Sequence, residues 1–201
     1  MGAYKTLQKR CNQAVKLVHY KQKLCGLYAA PKGASFMRRS DRAITDFSDL
    51  LAVITACPVM RLGFAATNTD GVAVPYIVPL NFGVTANDDV ITFYFHSALE
   101  GRKVELLRQH PHAAFEADRL LQVVEGAAPC DWSAYYESVM GTGLVEILED
   151  MDEKKAAMDS IMRHHGYAET PHYHEGVFAR TLLFKLTVTD ITGKCHRPKP
   201  E

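Results

Sequence analysis

The sequence predicts a mainly β fold, a closed or split antiparallel barrel with a few peripheral helices. Three observations predict it. Short β-prone runs follow one another through the chain, joined by turn signals such as Asn68-Thr69-Asp70-Gly71 and Asn87-Asp88-Asp89. Helical segments are few, and each has its own start and stop residues. Neither GxGxxG nor GxxxxGK occurs, so no Rossmann or P-loop site is expected.

In order along the chain, Asp46 is placed to cap a helix over 47–56, which Pro58 ends. Residues 59–67 read as a strand. The Asn68–Gly71 turn follows, with Gly71 free to take positive φ. A long strand is predicted over 72–84. It contains Pro75 and Pro79, so bends or an edge position are expected, because proline donates nothing to a ladder. A strand over 90–95 follows and stops on His96 and Ser97. Gly101, Arg102 and Lys103 then open a helix whose apolar residues are Val104, Leu106 and Leu107, and Pro111 ends it. Residues 112–118 return as a strand, and 120–134 read as an irregular excursion. Residues 136–148 form a strand in which Gly141 and Gly143 mark a bulge or a close approach. Asp150 and Glu153 make a capping-box-like start for a helix over 151–165, which Gly166 ends. The last strand, 181–189, sets Leu182, Phe184, Leu186 and Val188 against Leu183, Lys185, Thr187 and Thr189.

At 47% apolar and 23% charged, the 201 residues suit one globular domain with an extension, and no apolar run is long enough to cross a membrane. The net charge of zero hides an asymmetry. Nine of the 23 basic residues precede Asp41, the first acid, so the rest of the chain sets 14 basic residues against all 23 acidic ones. An acidic body excludes general nucleic-acid binding. Five scattered cysteines, at 11, 25, 57, 130 and 195, show no CxxC, which points to a reduced, cytoplasmic protein.

Residues 1–36 form a basic extension with apolar residues at roughly helical spacing. Three readings stand: a targeting peptide, a surface helix that touches a membrane or partner, or upstream sequence before a true start at Met37. The last is preferred, because the recognisable domain, 37–201, begins at Met37-Arg38-Arg39. Arg38, Arg39 and Arg42 are expected to pair with the acidic body and pin this end.

The pair Arg102-Lys103 is out of place on electrostatic grounds. The positive end of a helix macrodipole repels cations and offers free N–H groups to an anion, so an anion is expected there. Arg39-Ser-Asp-Arg42, Arg61-Leu62, Pro75-Tyr-Ile-Val-Pro-Leu-Asn-Phe82, His96-Ser97, Gly101-Arg102-Lys103, Tyr136-Glu-Ser-Val-Met-Gly141-Thr-Gly143 and Thr192-Gly193-Lys194 occur in that order. Together they resemble the pyridoxamine 5'-phosphate oxidase-like FMN-binding split-barrel family, and within it the nitroimidazole-resistance branch. The resemblance covers about residues 37–197.

The resemblance implies a split-barrel homodimer with FMN between protomers. It implies that Val78, Pro79, Leu80, Asn81 and Phe82 lay their backbone along the isoalloxazine ring. His96, Ser97, Arg102 and Lys103 would hold the ribityl phosphate. Ser138 and Lys194 would approach the flavin, with that of the partner chain a candidate for Lys194. The activity implied is an FMN-dependent oxidoreductase that takes electrons from NAD(P)H or a partner reductase and passes them to a small flat acceptor such as a nitro-aromatic or a quinone. His96 is the candidate proton donor, since imidazole titrates near working pH. True pyridoxamine-phosphate oxidation is disfavoured, because Gly193-Lys194-Cys195-His196 stands where that enzyme's Arg-x-His-type ending is expected. The alternative is a flavin or heme carrier or sensor of the same fold without turnover. Trp132 is read as packing at the dimer or flavin pocket, and Cys130 as non-catalytic. His164, His165, His172 and His174 invite a metal, but no carboxylate–His or Cys pair completes a zinc pattern, so they are read as a solvated loop and no metal is expected.

Overall fold

Asp46 caps as its position predicts: its carboxylate accepts from the backbone N–H of Ser48 and Asp49, and helix α1, Phe47–Ala56, follows. The helix buries Leu50, Val53 and Ile54, and its ladder ends where Cys57 N–H bonds Ile54 O. The computed structural model describes residues 37–198, so the readings of 1–36 lie outside the described residues. Strand β1, Ala43–Ile44, precedes α1. After it come β2, Met60–Phe64; β3, Tyr76–Leu80; β4, Phe82–Asn87; and β5, Val90–Ala98. Helix α2, Arg102–Gln109, leads to β6, His112–Val124, and β7, Ser133–Ile147. Helix α3, Met151–His164, short helix α4, Glu175–Phe178, and β8, Thr181–His196, complete the order.

The strands form one antiparallel sheet in the order β3-β2-β6-β7-β8-β5-β4, with β1 added to β8. Its two terminal strands, β3 and β4, are consecutive in the chain and separated only by Asn81. The sheet therefore closes through the chain itself, which makes a split barrel. The predicted 72–84 strand is thus two strands bent at Asn81, as its prolines required. Among the described strands β3 pairs only β2, so its other edge presents unladdered backbone groups.

Inside the barrel, Leu62, Phe64, Phe82, Phe93, Phe95, Phe115, Phe184 and Leu186 are fully buried. On its outside α3 makes a second cluster, in which Ala157 and Ile161 pack with Leu148, Phe178 and Leu183. The approach is close: a Cβ on Gly83 of β4 would sit 2.5 Å from the backbone carbon of Ser160, whose Oγ donates to Val84 O at 3.2 Å. Asp150 caps α3 by accepting from Asp152 and Glu153 N–H.

Three sequence boundaries are corrected. Strand β5 does not stop at His96 but pairs His96, Ser97 and Ala98 with Leu183, Leu182 and Thr181. Cross-strand partners carry it past its apolar run. Residues 120–124 and 133–134 belong to a hairpin of β6 and β7, with a bulge at Leu120/Gln122, so the irregular stretch shrinks to 125–132. Leu120 and Val123 are exposed within the chain, so no burial alternation marked them as a strand. Strand β8 continues to His196 because β7 pairs with it as far as Tyr136↔His196. The glycine expectation holds: the register shifts at Thr142/Gly143, and a Cβ on Gly141 would strike Asp190 O. Arg39 bonds its neighbour Asp41 at 2.6 Å, and Arg42 bonds the Tyr136 hydroxyl, so neither pairs with a distant acid as expected. Among the described residues no helix is long and apolar enough to cross a membrane.

Candidate functional site

Helices α1 and α3 each begin on an aspartate that accepts their free N–H groups. Helix α2 begins on Gly101, which has no side chain to cap with and sits at φ 117°, a conformation that favours glycine. Val104, Leu106 and Leu107 anchor the helix to the barrel and leave Arg102 and Lys103 on its first turn. The Arg102 guanidinium lies 5.7 Å from the centre of the Tyr76 ring on β3 and lines a shallow depression with Thr67, Glu105 and His110. Lys103 is half-buried, and burial lowers its ammonium pKa. No ion pair to either side chain is recorded among the described residues. Two cations and free helix N–H groups, with Glu105 of the same turn bonded to neither cation, make a spot that fits a phosphate.

Beside it runs the edge strand β3. Val78 and Leu80 are half-buried, and Pro79 and Asn81 are exposed. Phe82 is fully buried, with its ring 5.8 Å from Phe93 and 4.2 Å from His164. Its side chain therefore serves the core, and only its backbone remains for a ligand. His96 lies next to this bend, because its neighbour Phe95 pairs with Phe82. His96 and Ser97 leave opposite faces of β5. Ser97 Oγ donates to Ala98 O at 2.9 Å, and Gly101, not Ser97, is the helix cap.

The His96 ring has solvent-exposed surface, yet the surrounding protein, the charge of Lys103 and His165 together lower its pKa. His96 is therefore neutral at neutral pH. The sequence placed its titration near working pH without these neighbours.

His164 and His165 are not in a loop: one ends α3 and the other is its C-cap. His164 Nε2 meets Cys57 O at 2.9 Å, which ties α3 to the end of α1. Burial lowers the His164 pKa against the pull of the Cys57 carbonyl, and His165 adds to the lowering. A depressed histidine costs stability on the acid side, because the unfolded chain takes up the proton first. The protein is expected to lose melting temperature as pH falls below about 6.5, the unperturbed histidine value, and His164→Gln is expected to flatten that loss. Thermal melts of both proteins from about pH 7 to about pH 5 check it; parallel curves would clear His164. His172 and His174 are exposed, and among the described residues no three metal-ligating side chains come together.

Ser138 and Lys194 do not join this site within one chain. They pair with each other across β7 and β8. Pro79 faces out in one rank with Arg61, Glu116, Met140 and Thr192. At roughly 4.8 Å per strand, β7 lies about 14 Å and β8 about 19 Å from Pro79 along the curved sheet. Between the two groups Arg61 bridges Glu116 at 2.9 Å and Asp118 at 2.7 Å. Ile77, Leu120 and Met140 are exposed on this outer face. Trp132 is also exposed within the chain, its indole N–H donating to Gly126 O. Two contacts escaped the sequence reading: Tyr76 beneath Arg102, and Arg42 on Tyr136. Both residues of each pair stood in quoted motifs, but no spacing rule joins positions so far apart.

Residues 46–195 match the family described as pyridoxamine 5'-phosphate oxidase. The chain belongs to that family. Among solved structures of the pyridoxamine 5'-phosphate oxidase fold, the chain is similar to a candidate 5-nitroimidazole antibiotic resistance protein from Bacteroides thetaiotaomicron. Identity is 33% over 76% of this chain and 86% of that one, with a TM-score of 0.63. The flavocytochrome Anf3 from Azotobacter vinelandii shares the fold at 20% identity and a TM-score of 0.67, over 85% and 78% of the two chains. The FAD and heme binding protein from Mycobacterium smegmatis does so at 19% and 0.67, over 80% and 76%. No curated protein matches the chain. The family read from the motifs, with its nitroimidazole-resistance branch, and the split-barrel fold are both borne out.

Proposed function

We propose that this protein binds FMN and works as an FMN-dependent oxidoreductase on small flat acceptors such as nitro-aromatics. The observation that carries the reading is the uncapped start of α2, where Arg102 and Lys103 form no ion pair among the described residues beside the open edge of β3. Flavin binding by the flavocytochrome and by the FAD and heme binding protein of the same fold accords with it. So does the likeness to the nitroimidazole-resistance protein.

Arg102 offers a planar fork and Lys103 a point charge to the phosphate. The free edge of β3 offers backbone donors and acceptors to a polar ring system, as Val78, Pro79, Leu80 and Asn81 alternate along it. The flavin, when bound, supplies the electron chemistry. His96 holds the proton. A phosphate beside Lys103 would oppose that cation's part in lowering the imidazole pKa, while the larger part, from burial, would remain. Ser138 and Lys194 of a second copy complete the site in a homodimer, and the exposed Ile77, Leu120 and Met140 lie on the face such a dimer covers.

The test is the visible spectrum of the purified protein, repeated without oxygen after NADPH is added. A flavin spectrum that bleaches is expected. A flavin that stays oxidised would make the protein a carrier or an enzyme reduced by another donor, a Soret band would move it to heme, and a protein that takes up no FMN would end the proposal. His96→Ala is expected to keep its flavin and lose about 100-fold in turnover, the scale of one general acid. Unchanged turnover would return His96 to the scaffold.

A further inference from the structure

At the opposite end of β7 and β8 stands a second group of cations. Arg42, from the turn before β1, donates from Nη1 to the Tyr136 hydroxyl at 3.3 Å, and its guanidinium carbon lies 6.0 Å from the ring centre. The Lys194 ammonium lies 5.9 Å from the same ring. Neither cation has an ion pair recorded among the described residues. The nearby carboxylates are committed elsewhere: Asp41, beside Arg42 in the chain, is bonded by Arg39 at 2.6 Å. Glu137 leaves the other face of β7 and takes both Arg119 and Arg197 at 2.6 Å. Asp118 is two strands from Lys194, beyond Ser138, and bonds Arg61. The environment acts on the phenol: burial raises the Tyr136 pKa, and Arg42 and Lys194 more than reverse that. Beside it lies the His196 ring, 6.3 Å away at 61°, itself fixed through Nδ1 to Ala134 O.

A guanidinium fork, an ammonium and a phenol hydroxyl thus converge next to two flat rings. The fork matches the two oxygens of a carboxylate, and the rings offer faces to an aromatic body. We infer that Arg42, Tyr136 and Lys194 form a binding site for the carboxylate of an aromatic acid. Calling that acid the electron acceptor rests on the proposed function. Tyr136 is two residues from Ser138 on the same face, about 7 Å along the strand, so the site adjoins the part of β7 assigned to the partner's flavin. Arg42 selects the charged acceptor over its neutral analogue and holds it by its carboxylate.

The test is calorimetric binding to the purified full-length protein, with 4-nitrobenzoate and the uncharged 4-nitrobenzamide as probes and inorganic phosphate as a third. The wild type is expected to bind the benzoate at least about tenfold more tightly than the amide, the scale of one charged hydrogen bond. Arg42→Met is expected to erase that preference with flavin content unchanged, and Arg42→Lys to restore part of it. Tyr136→Phe, which keeps the ring, is expected to weaken the benzoate alone. Equal binding of both aromatic probes, or a preference that survives Arg42→Met, would overturn the site. Phosphate binding as tight as benzoate would overturn the aromatic carboxylate as its ligand. Loss of flavin in Arg42→Met would overturn it by making the cluster part of the cofactor site. A protein without flavin that still prefers the benzoate through Arg42 would sustain this site while the oxidoreductase proposal fails.

Discussion

Arg102→Ala combined with Lys103→Ala is expected to give a folded protein that purifies without flavin. Each charged hydrogen bond to a phosphate is worth about 1.5–3 kcal/mol, so losing two weakens FMN binding by roughly 10² to 10⁴-fold. The fold should not suffer. Both side chains leave the buried face of α2, alanine is the better helix former, and two cations are removed from the positive end of the dipole. The flavin-free double variant is therefore expected to melt no lower than flavin-free wild type. Absorbance at purification, FMN titration and thermal melts check the two halves separately. A variant that stays as yellow as wild type would place the phosphate elsewhere. A variant that melts well below the flavin-free wild type would show that the cations hold the fold.

Gly83→Ala is expected to disrupt the packing of α3 on the barrel wall. The new carbon would strike Ile161 N and lie 2.5 Å from the Ser160 carbonyl carbon, which are backbone atoms that no rotamer change can move aside. Helix α3 must shift off β4, at a cost of about 3 kcal/mol, the upper end of ordinary overpacking. The shift reaches the site, since α3 carries His164 onto Phe82 and His165 toward His96. Denaturant unfolding should show the stability loss, and FMN titration a weaker flavin. A variant of unchanged stability would mean that α3 is free to slide over the sheet.

Much of this was legible from local chemistry. Asp46 and Asp150 capped the helices they were expected to cap, because a cap is decided within a few residues. The prolines at 75 and 79 announced a bent edge strand. Arg102 and Lys103 marked a helix start, and the helix begins there. The motif order announced the family. Less legible was whatever a distant strand decides. His96, Ser97 and Ala98 look like a strand's end, and only the ladder to β8 makes them strand. Residues 120–124 look irregular until β7 lies alongside. His164 reads as solvated until its ring is found on Phe82 and Cys57.

The division has a physical basis. Caps, turns, proline breaks and helix-end charges are interactions within one or two turns of chain, so the amino acids settled them here without the fold. Strand extension, the protonation of His96 and the separation of Ser138 and Lys194 from β3 depend on charges and backbones brought near from distant positions. Barrel closure set them, since β3 and β4 occupy opposite ends of the sheet while remaining neighbours in the chain.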